Sequence, residues 1–258
     1  MTTIARLRAD AIPHGVDPRD VDVLLADALG RSVAWLFAHG EAEVDPAVIE
    51  PQLQRRLAGE PLQYIRGRAD FYGREFLVDG RVLIPRPETE IVVEQAVARA
   101  PRGARVVDVG TGSGCIAISL ALERPDLRVF ATDVSTAALA VAKHNCDRLG
   151  ARVEFVACDL LDAIVARLDL IVSNPPYIPA ADIETLQTEV RDYEPRSALT
   201  PGPRGTEVIE RLLRSGVPAI IEIGYGQLEA IREHVDDVIP DLAGIPRVVV
   251  SSAHHGGK

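Results

Sequence analysis

The stretch Arg105-Val-Val-Asp108-Val-Gly110-Thr-Gly112-Ser-Gly114-Cys-Ile-Ala-Ile-Ser-Leu120 decides how the rest of the chain is read. Arg105 to Val109 is a β-branched run of strand length, and an apolar helix over Ser113 to Glu123 follows it. Between them lies Asp108-Val-Gly110-Thr-Gly112-Ser-Gly114. Glycines admit positive φ and let a ligand approach the backbone, while a helix N-terminus offers unpaired N–H groups. A nucleotide-like ligand is expected there, with a tight turn as the plain alternative. The third glycine comes one residue too early for the dinucleotide pattern G-x-G-x-x-G, and no P-loop lysine follows, which speaks against both NAD and ATP.

Working outward, strand and helix alternate. Arg128–Thr132, Val153–Ala157, Leu168–Ser173 and Ala219–Ile223 read as further strands, with a helix over Thr136–Leu149 among the connections. This alternation predicts an α/β fold with a Rossmann-like, mostly parallel, doubly wound sheet. Upstream the texture changes. Asp17-Pro18 opens a helix that runs to Gly30, Ser32 to His39 supplies a second, and Asp45-Pro46 starts a third ending at Leu57. Trp35, Leu36 and Phe37 are read as packing residues. Around Phe71 to Val78, Gly73 and Asp79-Gly80 mark turns, so a short hairpin is expected. The expected organisation is a small all-helical domain over 1–68, a β-hairpin linker over 69–84 and the α/β domain over 85–258.

Composition narrows the classes. The chain has 258 residues, 47% of them hydrophobic and 26% charged, as in ordinary globular proteins. Lys+Arg 28 against Asp+Glu 38 leaves a net charge of -10, which argues against a broad nucleic-acid footprint. Cys115, Cys146 and Cys158 are odd in number and far apart, so neither a disulfide framework nor a metal site is expected. Charges run through the first ten residues and no long apolar stretch follows, so a cytoplasmic protein with no membrane span is expected. The tail after Ser251 reads as disordered, with His254 and His255 solvated.

Open α/β sheets bind ligands at the carboxyl ends of their strands. The second strand ends at Asp133, placed either to accept from ribose hydroxyls or to cap the helix that follows. The third ends at Cys158-Asp159-Leu160, where Asp159 can meet an adenine amino group and Leu160 can pack on the ring. Taken together, Val106 to Pro176 resembles the class I S-adenosylmethionine-dependent methyltransferases. The resemblance implies S-adenosylmethionine as cofactor and S-adenosylhomocysteine as product, held by Gly110, Thr111, Gly112, Ser113, Gly114, Asp133, Asp159, Leu160 and Asn174.

The fourth strand delivers Asn174-Pro175-Pro176-Tyr177. An amide or aromatic amine is a poor nucleophile because its lone pair is delocalised. Acceptors that grip both N–H bonds favour a more tetrahedral nitrogen and aim its lone pair at the methyl group. The Asn174 side-chain oxygen and the Pro175 carbonyl are the expected pair. Pro175 and Pro176 stiffen the loop by fixing φ, and Tyr177 can stack on a planar group. No general base is required, because the nitrogen sheds its proton after transfer.

This motif serves both N6-adenine and glutamine-amide methylation. Almost end to end, however, the chain resembles the bacterial peptide chain release factor glutamine methyltransferases. Matching stretches are Asp22 to Asp27, Arg55 to Tyr64, Leu83 to Glu90, Asp108 to Gly114, Asn174 to Tyr177, Tyr193-Glu194-Pro195 and Glu222-Ile-Gly224. The resemblance implies N5-methylation of the glutamine in the Gly-Gly-Gln motif of class I release factors, docked with help from the helical domain and hairpin. It departs from the family in a slightly trimmed N-terminal domain and in Leu160, where relatives can carry an aromatic residue. Arg86, Thr89 and Glu90 either line the cofactor or substrate mouth or form a capped helix start with Glu88. Glu194 either orients the substrate loop or pairs with Arg191 or Arg196. The rival reading, an N6-adenine methyltransferase acting on nucleic acid, needs a cationic groove and a target-recognition region that the sequence does not display.

Overall fold

The computed structural model describes residues 1–11 and 16–253; His254 and His255 lie outside them. The chain divides into two units, one made of 1–67 with 187–193, the other of 68–186 with 194–258.

The smaller unit opens with β1 (Thr2–Thr3), antiparallel to β2 (Glu43–Val44), with α1 (Ile4–Ala11), α2 (Pro18–Leu29) and α3 (Val33–Ala38) between them. α4 (Glu50–Leu57) and α5 (Leu62–Arg66) follow. The expected caps of α2 are present: Asp17 accepts from Arg19 N with Pro18 in the first turn, and Gly30 ends the helix at φ 60°. The expected third helix is split. Asp45-Pro46 starts a 3-10 turn over Pro46–Val48, and Pro51 in the first turn of α4 forces a fresh start there. α1 lies in the region read as helical, although it was given no range of its own; the β1–β2 pair was not expected, because two-residue strands carry no readable period. Ile4, Val21, Leu25, Leu36 and Ile49 fill the core of this unit. Trp35 packs on it, whereas Phe37, expected in the core, is largely exposed beneath the Arg8 guanidinium.

The larger unit begins with the hairpin of β3 (Arg68–Phe71) and β4 (Arg74–Leu77). Its two-residue turn, Tyr72-Gly73, has φ of 50° and 69°, the positive pair that matches strand twist. After α6 (Glu90–Arg99) come β5 (Arg105–Val109), α7 (Cys115–Glu123), β6 (Arg128–Asp133), α8 (Thr136–Leu149), β7 (Val153–Ala157) and β8 (Leu170–Ser173). The chain then contributes α9 (Thr188–Tyr193) to the smaller unit and returns through α10 (Arg196–Leu199) and α11 (Glu207–Leu213) to β9 (Ala219–Glu222). α12 (Leu228–Ile231), β10 (Asp237–Pro240) and β11 (Pro246–Ser251) complete it. The sheet order is β10-β11-β9-β8-β5-β6-β7. β5 pairs in parallel with both β6 and β8, while β10 and β11 form the antiparallel end. This is the mostly parallel Rossmann-like sheet the alternation predicted, with the antiparallel pair added. The order reverses at β5, and in open α/β sheets ligands bind at such a switch point, here the carboxyl ends of β5 and β8. One apolar layer, including Val106, Ile118, Leu120 and Val172, covers one face; the other carries Val107, Ile171, Leu212 and Ile221.

Candidate active site

β5 ends in a loop with its backbone folded back on β6: Gly110 N and Thr111 N both donate to Thr132 O, at 2.9 and 3.0 Å. Asp108, fully buried, accepts from Thr111 Oγ1 at 2.6 Å and Ala117 N at 3.2 Å, so it ties the loop to the first turn of α7. Burial raises its pKa to about 7 despite these donors. Gly110, Gly112 and Gly114 all have positive φ, of 71°, 54° and 85°. A Cβ at Gly114 would also stand 2.8 Å from Ile118 Cδ1 and 3.1 Å from Ala142 Cβ, so close packing of α7 against α8 demands glycine there. At Gly110 and Gly112 an added Cβ would meet nothing within 4 Å, which leaves the backbone open to approach.

Asp133 accepts from Gly112 N at 3.0 Å and Ser135 N at 2.8 Å, while the α8 cap is Ser135, whose Oγ accepts from Ala138 N at 3.1 Å. The helix-cap alternative for Asp133 therefore falls away: its carboxylate bridges the glycine loop and the β6 end, and each oxygen keeps lone-pair capacity for a hydroxyl donor. Val134 beside it is 63% exposed. Asp159 is engaged by Arg211, at 2.7 and 3.3 Å, and Leu160 adopts a φ of 45° with its carbonyl accepting from Thr132 Oγ1 at 2.8 Å.

β8 ends beside this loop, fastened by Ser173 Oγ donating to Val109 O at 2.7 Å. Asn174 Nδ2 donates to Thr89 Oγ1 at 2.9 Å, and Thr89 Oγ1 donates to Glu222 Oε2 at 2.6 Å. Tyr177 OH donates to the other Glu222 oxygen at 3.2 Å. The Asn174 Oδ1 atom is buried with no hydrogen-bond partner among the described residues. Burial pushes the Glu222 pKa up to about 7, and burial with the Glu222 charge pushes the Tyr177 phenol up as well. Gln227 holds the loop from the far side: its Nε2 donates to Tyr177 O at 2.7 Å and Gly205 O at 3.1 Å, while its Oε1 accepts from Gly224 N at 2.8 Å. Tyr177, expected to offer its ring to a planar group, is half-buried against Gly224, where an added Cβ would lie 3.0 Å from Tyr177 Cδ2.

Thr89 occupies the N-cap position of α6, yet its hydroxyl makes no capping bond. Glu90 Oε1 accepts from Tyr72 N at 2.7 Å, fixing the hairpin turn to the start of α6. Arg86 Nη2 donates to the buried Glu194 at 2.6 Å, a partner not among the two considered from sequence. Sequence reasoning missed two supports. Asn145 donates to Leu77 O and Ser113 O, both at 3.0 Å, and accepts from Leu77 N at 2.8 Å, joining β4 to the glycine loop. A signal was present: Asn145 sits on the buried stripe Ala138, Val141, Ala142, Cys146 of α8, where an amide needs partners. Gln227 left no comparable signal. Among the described residues no cluster of side chains suits a metal ion, and no helix is long and apolar enough to cross a membrane.

The comparisons with known proteins agree with this layout. Residues 87–230 match the methyltransferase small domain, and residues 3–67 match the PrmC N-terminal domain. Release factor glutamine methyltransferase of Koribacter versatilis is 45% identical over 248 aligned positions, covering 89% of each chain. That of Bordetella pertussis is 42% identical over 269 positions, covering 96% of this chain and 98% of its own, and that of Staphylococcus aureus 39% over 256, covering 91% and 92%. Among solved structures, the catalytic domain of hMettl16 in complex with the MAT2A 3'UTR hairpin 6 superposes with a TM-score of 0.53 at 16% identity, over 79% of this chain and 93% of that one, a likeness of fold alone. Identity near two residues in five along nearly the whole of both chains makes this chain a member of the release factor glutamine methyltransferase family.

Proposed function

We propose that the chain transfers a methyl group from S-adenosylmethionine to the side-chain amide N5 of the glutamine in the Gly-Gly-Gln motif of class I peptide chain release factors, in the cytoplasm. The observation that carries this reading is the Asn174 amide: its NH2 is spent on Thr89 while its oxygen is buried without a hydrogen-bond partner among the described residues. An acceptor already stripped of water gains most from an arriving N–H, because no solvent hydrogen bond has to be broken first.

The site's groups fit the cofactor. Gly110 and Gly112 present open backbone just before a helix N-terminus, Asp133 keeps acceptor capacity for ribose hydroxyls, and exposed Val134 with Leu160 and Asp159 offers an apolar wall and an acid for adenine. Bound there, S-adenosylmethionine supplies an electrophilic methyl on a sulfonium that departs as a neutral thioether. Asn174 Oδ1 and the Pro175 carbonyl accept the two N–H bonds of the substrate amide and turn its nitrogen lone pair out of conjugation. Pro175 and Pro176 keep those acceptors from relaxing, and Tyr177 walls the pocket. Aimed in this way, the amide nitrogen would take the methyl group that the cofactor supplies, and the extra amide proton would pass to solvent. Arg86, held by Glu194, stands ready for the substrate backbone.

The helical unit and the hairpin dock the protein substrate. Arg8, Arg55, Arg56 and Arg66 of that unit are each held by a carboxylate, which fits a protein partner better than a phosphate backbone. The test is incubation with S-adenosylmethionine and a recombinant class I release factor, followed by digestion and mass spectrometry. One methyl on the Gly-Gly-Gln peptide, absent with Asn174→Ala, is expected; an unmodified glutamine with bound cofactor would send the search to another amide or an adenine.

A further inference from the structure

An asparagine side chain can turn its oxygen and its NH2 end for end with little change in shape, so a clamp that needs the oxygen must be told which way to face. In this fold the instruction comes from residues distant in sequence. Glu222 closes β9 and is fully buried, with Thr89 on one oxygen and Tyr177 on the other. An ionised carboxylate only accepts, so whenever Glu222 carries its charge the Thr89 hydroxyl, which has a single hydrogen, donates it to Glu222. That leaves Thr89 Oγ1 only lone pairs to offer Asn174, and lone pairs select the NH2.

We propose that Thr89 and Glu222 are positioning residues for methyl transfer, acting through Asn174: a one-way hydrogen-bond relay from Asn174 to Thr89 to Glu222 holds the Asn174 oxygen in the acceptor position of the amide clamp. This rests on the reading of Asn174 as that clamp. Two independent features support it. Thr89 is buried, at the helical end of the 3-10 turn Pro87–Thr89, so its hydroxyl is shut off from water and is committed to Glu222. The same carboxylate takes the Tyr177 hydroxyl, so both ends of the Asn174-Pro175-Pro176-Tyr177 loop are referred to one buried group. Reversing the asparagine would place an NH2 where the substrate amide must donate, a donor facing a donor, and would leave the Thr89 hydroxyl between two acceptors with one hydrogen to share.

The test measures single-turnover methylation of the release factor at saturating cofactor, with cofactor affinity by calorimetry and thermal stability alongside. Thr89→Val keeps the shape and removes the relay; it is expected to slow the chemical step by about 100-fold, the usual cost of a mispositioned or lost preorganised group, with KM and cofactor affinity within about twofold. Thr89→Ser restores the hydroxyl and is expected within about threefold of the parent. Glu222→Gln, able to show Thr89 either an oxygen or an NH2, is expected between the two. Thr89→Val combined with Asn174→Ala is expected to be no slower than Asn174→Ala alone, because the relay has nothing left to orient. Thr89→Val at parent rate while Asn174→Ala is inactive overturns the relay and leaves the clamp standing. Thr89→Ser as slow as Thr89→Val also overturns it, reducing Thr89 to packing. Asn174→Ala at parent rate overturns the clamp itself and the relay with it.

Discussion

The glycine-rich loop after β5 and the Asn174 loop after β8 end neighbouring strands, yet they are shaped by different forces. The first is governed by its own backbone: three glycines in five residues take positive φ, and the carboxylates that hold them, Asp108 and Asp133, come from β5 and the adjoining β6. The second has no positive φ among Asn174 to Tyr177 and is held by side chains from far along the chain, namely Thr89, Glu222 and Gln227. A cradle that must let a ligand near the main chain is made by removing side chains. A clamp that must aim one oxygen is made by converging them.

This contrast can be broken experimentally. The largest effect is expected from Asn174→Ala, a loss of about 1,000-fold in methylation rate with cofactor affinity unchanged, because only the clamp side is touched; a calorimetric titration beside single-turnover kinetics checks both halves. Next comes Gly205→Ala. Its φ is 79°, and an added Cβ would stand 2.5 Å from Tyr177 O and 2.8 Å from Gln227 Nε2, so the Asn174 loop has to shift. A rate loss of about 100-fold, with destabilisation of about 3 kcal/mol in denaturant titration, is the expected result. Asp133→Ala probes the cradle instead, and is expected to weaken cofactor binding about tenfold while leaving the rate at saturation within about threefold.

A pH experiment sharpens the comparison, since each loop has one buried acid. Asp108 rises from 3.8 to about 7 and Glu222 from 4.5 to about 7, both chiefly through burial. Below the lower values both folded and unfolded chains hold these protons. As pH climbs, the unfolded chain releases them first, so the stability they contribute is complete in acid and is lost as pH rises through about 7. Glu222→Gln is expected to flatten part of the fall in Tm between about pH 4 and 7; a parallel curve for variant and parent would remove Glu222 from it. The smallest effect is expected from Arg211→Ala. Its bridge to Asp159 is about half exposed on both sides, so unfolding should change by no more than about 0.5 kcal/mol.

Much of this was legible before any coordinates. Alternating strands and helices, the glycine loop, Asp133 and the Asn174 loop are local patterns, and local patterns survive in sequence because period, φ preference and capping act over a few residues. β10 and β11 escaped because antiparallel strands at a sheet end lack the strand-helix-strand rhythm that marked the others. The third helix was drawn too long because two prolines close together, Pro46 and Pro51, each restart a helix. Glu194 was assigned neighbours in sequence, when its buried carboxylate required a cation and took Arg86, 108 positions away.

By itself, then, the sequence determined the fold class, the strands that carry chemistry and the residue types standing at their ends. Only the tertiary structure decided which way Asn174 points, that Thr89 serves Glu222 rather than its own helix, and that Asn145 and Gln227 brace the two loops. The physical reason is range. Backbone preference is a property of short segments, whereas the direction of a buried hydrogen bond is set by whichever donors and acceptors the packed sheet brings within about 3 Å of it.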